Sequence, residues 1–231
     1  MQEGNARAFL VLRSANEEEI AFGELRQRPM GRGLIESRLT LNFKDGSRRE
    51  ELAVFSQGQV FRLERYRIVQ RGPSFPTLEA SLDRMRGSYD ATAQQQQGDP
   101  EKHASGRLEA PTDLYNGLPM ILAKNLSPGA VATVQTAVFT PKLRLVKTVL
   151  STEGEEQVTI GGEPKKVVRY LVRLELGGLT GVIAPLIGKE PPDTRYWFVA
   201  GDVPAFAKFE GAMFLNGPVW RLEETSIRWP K

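Results

Sequence analysis

Acid–base and nucleophilic chemistry near neutral pH leans on histidine and cysteine, and this chain of 231 residues has one histidine and no cysteine. Without cysteine there is no thiol catalysis, no thiolate metal site and no disulfide. His103 stands in the polar stretch Ala91–Ser105, which reads as a solvent loop. A catalytic group must be held to well under an ångström, so His103 is a poor general base. A Ser-His-Asp triad is disfavoured and a multi-histidine metal site is impossible. Carboxylates remain, because paired Asp or Glu residues hydrolyse glycosides without histidine. Those that stand out are Asp113, Glu190, Asp193 and Asp202. Asp113 suits the first turn of a helix, where the dipole favours negative charge, and Glu190 and Asp193 flank the stiff Pro191-Pro192 pair. Gly177-Gly178-Leu179-Thr180-Gly181 lacks the Lys-Ser/Thr ending of a phosphate loop. No catalytic residue, metal or cofactor is expected.

Apolar chemistry has clearer markers. Two helix-like islands interrupt a chain that otherwise reads as strand after strand. In Thr112–Leu126, Leu114, Leu118, Ile121 and Leu122 recur at i, i+4, i+7 and i+8, with Thr112 as N-cap and Ser127-Pro128-Gly129 as stop. Pro119 inside that span implies a kink, or two short helices broken near Asn116-Gly117. In Leu179–Ile187 the residues Leu179, Val182, Ile183, Leu186 and Ile187 form one complete apolar stripe, ended by Gly188 and Pro191-Pro192. Such islands commonly plug the mouth or concave face of a curved sheet. Tyr115, Leu118, Leu122, Val182, Ile183, Leu186, Ile187 and Trp197 are therefore the residues expected to touch a hydrophobic ligand. Phe206, Phe209, Phe214 and Trp220 join Tyr196-Trp197-Phe198 in an aromatic cluster that lines a cavity or, more simply, fills a core. Bulky groups on both faces of the 196–198 strand imply cover on both sides.

The elements that must position these residues are mostly strands. Ile35, Leu39, Leu41 and Phe43 alternate with Glu36, Arg38, Thr40 and Asn42, the period of a sheet with one buried and one wet face. Asp45-Gly46 predicts a two-residue hairpin turn into Arg48–Phe55, and Gln57-Gly58 a turn into Val60–Val69. On that last strand Arg65 and Arg67 are read as sharing a face with Phe61 and Leu63, their stems covering apolar surface. Leu78–Met85 fits a helical turn or a strand. Further strands are predicted at 130–139, 142–150, 157–160 and 166–176, the last with Val168, Tyr170, Val172 and Leu174 on one face, and then at 195–200, 205–215 and 218–227. Gly161-Gly162 and Asn216-Gly217 mark hairpins.

Hydrophobic content of 40% with 26% charged residues allows a sizeable core. The net charge of +3 is dispersed, with Glu interleaved among the Arg clusters, so no nucleic-acid partner is expected. No run of about 18 apolar residues spans a membrane. The first residues also lack the basic and apolar regions of a secretory leader.

Leu176–Glu223, with Gly-Val-Ile-Ala-Pro-Leu-Ile-Gly-Lys-Glu-Pro-Pro-Asp-Thr followed by Gly-Pro-Val-Trp-Arg-Leu-Glu, and Asp113-Leu-Tyr-Asn-Gly117 together resemble uncharacterised exported bacterial proteins of unknown function. These are similar in outline to the half-barrel fold of envelope lipoprotein carriers. The resemblance covers somewhat more than a quarter of the chain and carries no catalytic residue. It implies a cell-envelope or periplasmic location, with a leader removed, cytoplasm being the alternative. It also implies a concave antiparallel sheet around helical segments.

Taken together, the expectation is a mainly β single domain over 1–231, a strongly curved antiparallel sheet (half-barrel or open barrel) embracing one or two short helical segments, with a flexible polar loop near 91–105. Its expected function is non-enzymatic: binding a lipid-like or other hydrophobic small molecule on the concave face. Two alternatives stand beside it. One is a carboxylate-dependent hydrolase or lyase on a cell-wall or polysaccharide substrate, through Asp193 or Asp202; the other is an assembly module binding protein through a sheet edge.

Overall fold

The computed structural model describes residues 3–94, 98–127, 129–139, 143–160, 162–175, 192–201, 204–225 and 227–228. In chain order the strands are Ala6–Arg13 (β1), Glu19–Gly31 (β2), Leu34–Phe43 (β3), Arg48–Gln57 (β4), Phe61–Arg71 (β5), Thr77–Asp83 (β6), Ser88–Gln94 (β7) and Lys102–Arg107 (β8). The helix Pro119–Lys124 (α1) follows, then Val131–Phe139 (β9), Leu143–Ile160 (β10), Glu163–Glu175 (β11), Thr194–Val199 (β12), Ala205–Ala212 (β13), Val219–Glu224 (β14) and Ile227–Arg228 (β15). The protein is mainly β, its strand ladders are antiparallel, and α1 is the one helix among the described residues.

The chain forms two compact units. The first comprises the residues up to Phe9, Ile20–Leu118 and Gln135–Leu145; the second comprises Leu10–Glu19, Pro119–Val134 and everything from Val146 on. Strand β1 passes from one unit to the other between Phe9 and Leu10.

In the first unit, β2 to β8 pair in sequence order. The alternation read from the sequence holds at the end of β3, where Leu41 and Phe43 are buried and Asn42 is exposed; nearer its start Glu36 is buried along with Ile35 and Ser37, and Leu39 is half-buried. The β3–β4 turn is longer than expected: Phe43 N–H bonds the Ser47 carbonyl at 2.8 Å, and Gly46 takes φ 85°. Asp45 holds this loop by accepting the Ser47 N–H at 2.8 Å.

A bulge corrects the expected placement of Arg65 and Arg67. Leu63 pairs with Phe55 and Arg65 with Val54, so one extra residue in β5 shifts the pleat. Leu63, Tyr66, Ile68 and Gln70 are consequently buried on one face, and Arg65 and Arg67 stand exposed on the other. Leu78–Met85 resolves as strand β6, with Met85 beyond its end at 89% exposure. Within the span 91–105, Ala91–Gln94 belong to strand β7 and Lys102–Ser105 to strand β8. These two strands pair with each other, and Ala91 opposite Ala80, and Tyr89 opposite Leu82, continue the apolar face in small or ring-shaped residues.

In the second unit the order is β10, β11, β12, β13, β14, β1, with β15 on the far side of β10. The expected strands 142–150 and 157–160 are one strand of 18 residues. The charged stretch between them was loop-like in sequence, but its carboxylates find partners across the sheet: Glu153 with Arg169 at 3.0 Å, Glu156 with Arg169 at 2.6 Å and Glu155 with Lys166 at 2.6 Å. On β11 the predicted face holds, with Tyr170 and Val172 buried and Val168 and Leu174 half-buried, while Val167 is buried on the reverse face; the register shift between Thr152 and Gly154 lies in β10.

Candidate functional site

The feature of the second unit best suited to a ligand is a row of side chains across five strands. Tyr170 pairs with Tyr196, Tyr196 with Phe209, Phe209 with Leu222 and Leu222 with Leu12. Directly paired residues share a face, so this row is continuous. Beside it Val168, Phe198 and Phe206 make a second row, with Phe198 and Phe206 rings 6.2 Å apart. Tyr196 and Phe209 centroids lie 5.2 Å apart, and Tyr170 and Phe198 5.9 Å. Phe198 and Phe209 are buried, whereas Tyr196 and Phe206 are half-buried. Burial pushes the Tyr170 phenol above its ordinary value. The arrangement offers a large apolar area with two phenol groups as its polar points.

Helix α1 packs against β12 of the same unit. Pro119 starts this helix and does not kink it: at the first helical position its missing N–H breaks no bond. Ile121 and Ala123 are buried and Leu122 is half-buried. The first island is therefore neither one helix over Thr112–Leu126 nor two, but a six-residue helix preceded by a different structure.

That preceding structure belongs to the first unit. Leu114 forms a parallel bridge with Gln135, Tyr115 N–H donates to the Gln135 carbonyl at 3.0 Å, and Gln135 N–H donates to the Asp113 carbonyl at 2.8 Å. Asp113 thus meets Gln135 where a helix start was expected. Asn116 extends the strand pairing with its side chain: Nδ2 donates to the Ala137 carbonyl and Oδ1 accepts the Ala137 N–H, each at 2.8 Å. Gly117 then takes φ 68° against Tyr66, whose ring would lie 3.0 Å from any Cβ there, a turn only glycine fits. Tyr66 in turn stacks on Phe139, centroids 6.3 Å apart. Arg84 fastens the segment by donating to the Ala110 and Pro111 carbonyls, both at 2.7 Å.

Among the expected ligand residues that are described, Tyr115 and Leu118 belong to the first unit and Leu122 and Trp197 to the second. Tyr115 is buried in the first unit, its hydroxyl donating to the Phe61 carbonyl at 2.6 Å, and Leu118 is fully buried there. Leu122 lies in the second unit on α1. Val182, Ile183, Leu186 and Ile187, with the rest of the second island, lie outside the described residues, as do Glu190 and Asp202.

Trp197 is buried on the face opposite the aromatic row, because it alternates with Tyr196 and Phe198 along β12. There it joins Val158, Val167 and Ala207, and Lys208 Nζ sits 3.8 Å above its ring. Lys208 is paired across the sheet with Glu223. Burial lowers the Lys208 ammonium below its ordinary value and raises the Glu223 carboxyl above its own, the latter opposed by Arg221 and Arg13. Around them runs an ion-pair network: Arg13–Glu223 at 3.5 Å, Arg221–Glu17 at 2.7 Å and Arg195–Glu153 at 2.9 Å. Asp193 belongs to the same network. Arg173 donates to both its oxygens, at 2.9 and 3.1 Å, and holds its carboxyl below the usual range. A carboxylate so bound is a poor proton donor and a hindered base.

His103 stands on β8, exposed, 3.5 Å from Asp90 and 3.3 Å from the Thr92 hydroxyl. Among the described residues no group of three or more His, Asp and Glu is placed to hold a metal ion. Sequence reasoning also missed a buried polar network in the first unit. Tyr66 donates to Glu51 at 2.7 Å, while Arg49 reaches Gln70 at 2.5 Å and Glu51 at 3.2 Å. Burial, reinforced by the Glu51 charge, pushes the Tyr66 phenol well above its ordinary value. Nothing local in the sequence signals this network, since its members come together only when β4 and β5 pair.

No protein-family profile matches this chain. No curated protein matches it either. Among solved structures it is similar to a β-barrel-like protein of Domain of Unknown Function DUF1849 from Brucella abortus, with 9% sequence identity and a TM-score of 0.48 over 100% of this chain and 99% of that one.

Proposed function

We propose that this is a non-enzymatic protein of the cell envelope that holds a hydrophobic, lipid-like ligand against the aromatic face of its second unit. The observation carrying the reading is the continuous row Tyr170–Tyr196–Phe209–Leu222–Leu12, flanked by Phe198 and Phe206. Half-buried Tyr196 and Phe206 give an acyl chain access to a surface otherwise made of buried rings. Apolar binding surfaces with a few polar points are the common form of small-molecule sites. The envelope location rests on the sequence resemblance at 176–223. A glycan hydrolase has less behind it, since Asp193 is tied to Arg173 and Arg195.

The test is titration of the purified chain with an environment-sensitive fluorescent fatty acid. Saturable binding, weakened about tenfold by Phe206→Ser with far-UV dichroism unchanged, supports the site; a loss of that size matches about 1.5 kcal/mol, the low end for burying a large apolar side chain. Binding that Phe206→Ser and Tyr196→Ser both leave intact, or no saturable binding, overturns it.

A further inference from the structure

The first unit carries, on the sheet face opposite Ile35, Phe55, Tyr66 and Ile68, an unusual combination of surplus arginine and exposed phenylalanine. Cross-strand pairing places Arg28 with Glu36, Arg26 with Arg38, and Arg48 with Arg71 on that one face. Three of its carboxylates are shared between cations, while Glu24 pairs with Arg7 alone and Asp83 with Arg86 alone. Glu36 lies 3.1 Å from Arg28 and 3.7 Å from Arg38; Glu50 lies 2.6 Å from Arg38 and 3.1 Å from Arg48. Glu79 lies 2.6 Å from Arg67 and 2.7 Å from Arg71. Five arginines therefore face three carboxylates in these pairs, and the exposed Arg26 and Arg65 add charge with no ion-pair partner among the described residues. Positive charge accumulates here even though the chain as a whole is only +3.

The same face bears Phe22 at 48% exposure, and Phe9 on the adjacent β1 at 54%. Each ring has its own cation, Arg7 at 4.6 Å from the Phe9 centroid and Lys44 at 5.6 Å from Phe22. Isolated exposed aromatics are ordinary. Two on neighbouring strands, both beneath cations and at the margin of an arginine-rich sheet, form the amphipathic pairing that suits a bilayer interface, where rings enter the headgroup level and guanidiniums meet lipid phosphates.

We propose that this face docks the protein on an anionic lipid surface, rings inserted and arginines on the phosphates. A nucleic acid or acidic polysaccharide would use the arginines but has no need of both exposed rings at one margin. The proposal does not depend on the aromatic row of the second unit, and vesicle binding and fatty-acid binding fail separately.

The test is co-sedimentation of the full chain with vesicles of phosphatidylcholine alone or with about one-third phosphatidylglycerol, at low and at high salt. The expected result is binding to the anionic vesicles, lost at high salt, and reduced about tenfold by Phe9→Ser/Phe22→Ser with far-UV dichroism unchanged. Arg65→Gln/Arg67→Gln should reduce binding several-fold more than Lys165→Gln/Lys166→Gln, which removes the same charge from exposed positions on β11 of the second unit. Equal losses from the two charge pairs would show that net charge alone drives association, and the proposal would fall. It would also fall if the phenylalanine variant binds as the parent does, or if the parent binds heparin but no vesicle.

Discussion

Replacing Asn116 by alanine should destabilise the protein out of proportion to the size of the change. Its side chain occupies the place of a backbone unit, donating to the Ala137 carbonyl and accepting the Ala137 N–H at 2.8 Å each. Both residues are nearly inaccessible, Asn116 at 4% and Ala137 at 3% exposure, so water cannot replace what is removed. A net hydrogen bond contributes about 1 kcal/mol, and a buried group left unpaired costs about 1–3 kcal/mol. With two groups on Ala137 stranded, the loss should be about 2–4 kcal/mol. Asn116→Asp keeps the acceptor and sets a carboxylate oxygen against the Ala137 carbonyl, so it should be as damaging at neutral pH and partly recover when acid protonates it. Urea unfolding followed by far-UV dichroism measures both, with Asn42→Ala as the exposed control, expected within about 0.5 kcal/mol of the parent. If Asn116→Ala also falls within about 0.5 kcal/mol, the side chain is not the strand mimic that its geometry indicates.

Tyr66→Phe should cost about 1.5–3 kcal/mol at neutral pH, the range for a hydrogen bond to a charged group such as Glu51. The parent should also lose stability as pH rises past about 10, because a phenol with a raised folded pKa binds its proton more tightly in the fold than unfolded; Tyr66→Phe should flatten that alkaline limb in pH-dependent thermal melts. Glu223 has the same sign in the acid range. Its raised carboxyl favours the fold below the ordinary carboxylate value of about 4.3 and loses that contribution as pH rises, so Glu223→Gln should gain on the parent from pH 4 to 7; a gap moving the other way would refute the dominance of burial over Arg221 and Arg13.

What could be read from the sequence follows the range of the interactions. The alternation at the end of β3, the glycine at the β3–β4 turn and the aromatic concentration at 196–220 are local signals, and the structure repeats them. The failures have non-local causes. A periodicity of four leucines and isoleucines suggested a helix from Thr112, yet Leu114–Asn116 is held extended by Gln135 and Ala137, about twenty residues away in sequence. The bulge opposite Phe55 moved Arg65 and Arg67 to the other face, and no residue in β5 announces it. Glutamines and a histidine masked the β7–β8 hairpin, whose inward residues Tyr89 and Ala91 are too few to dominate its composition. For the candidate site, the aromatic residues were identifiable from type, but their sorting was set by strand register: Tyr196 and Phe198 fall on the row, Trp197 on the reverse. Tyr115 and Leu118 went to the first unit because Pro119, the first residue of α1, is also where the chain leaves it.

Ligand binding at the aromatic row is tested most directly by native mass spectrometry of the protein purified without detergent from its own host, alongside solvent extraction of the same sample. The expected result is a bound mass that leaves on extraction as a lipid-like molecule and is lost from the Phe206→Ser protein. A bare protein mass, with no extractable apolar molecule and no uptake of added fatty acid, would contradict it.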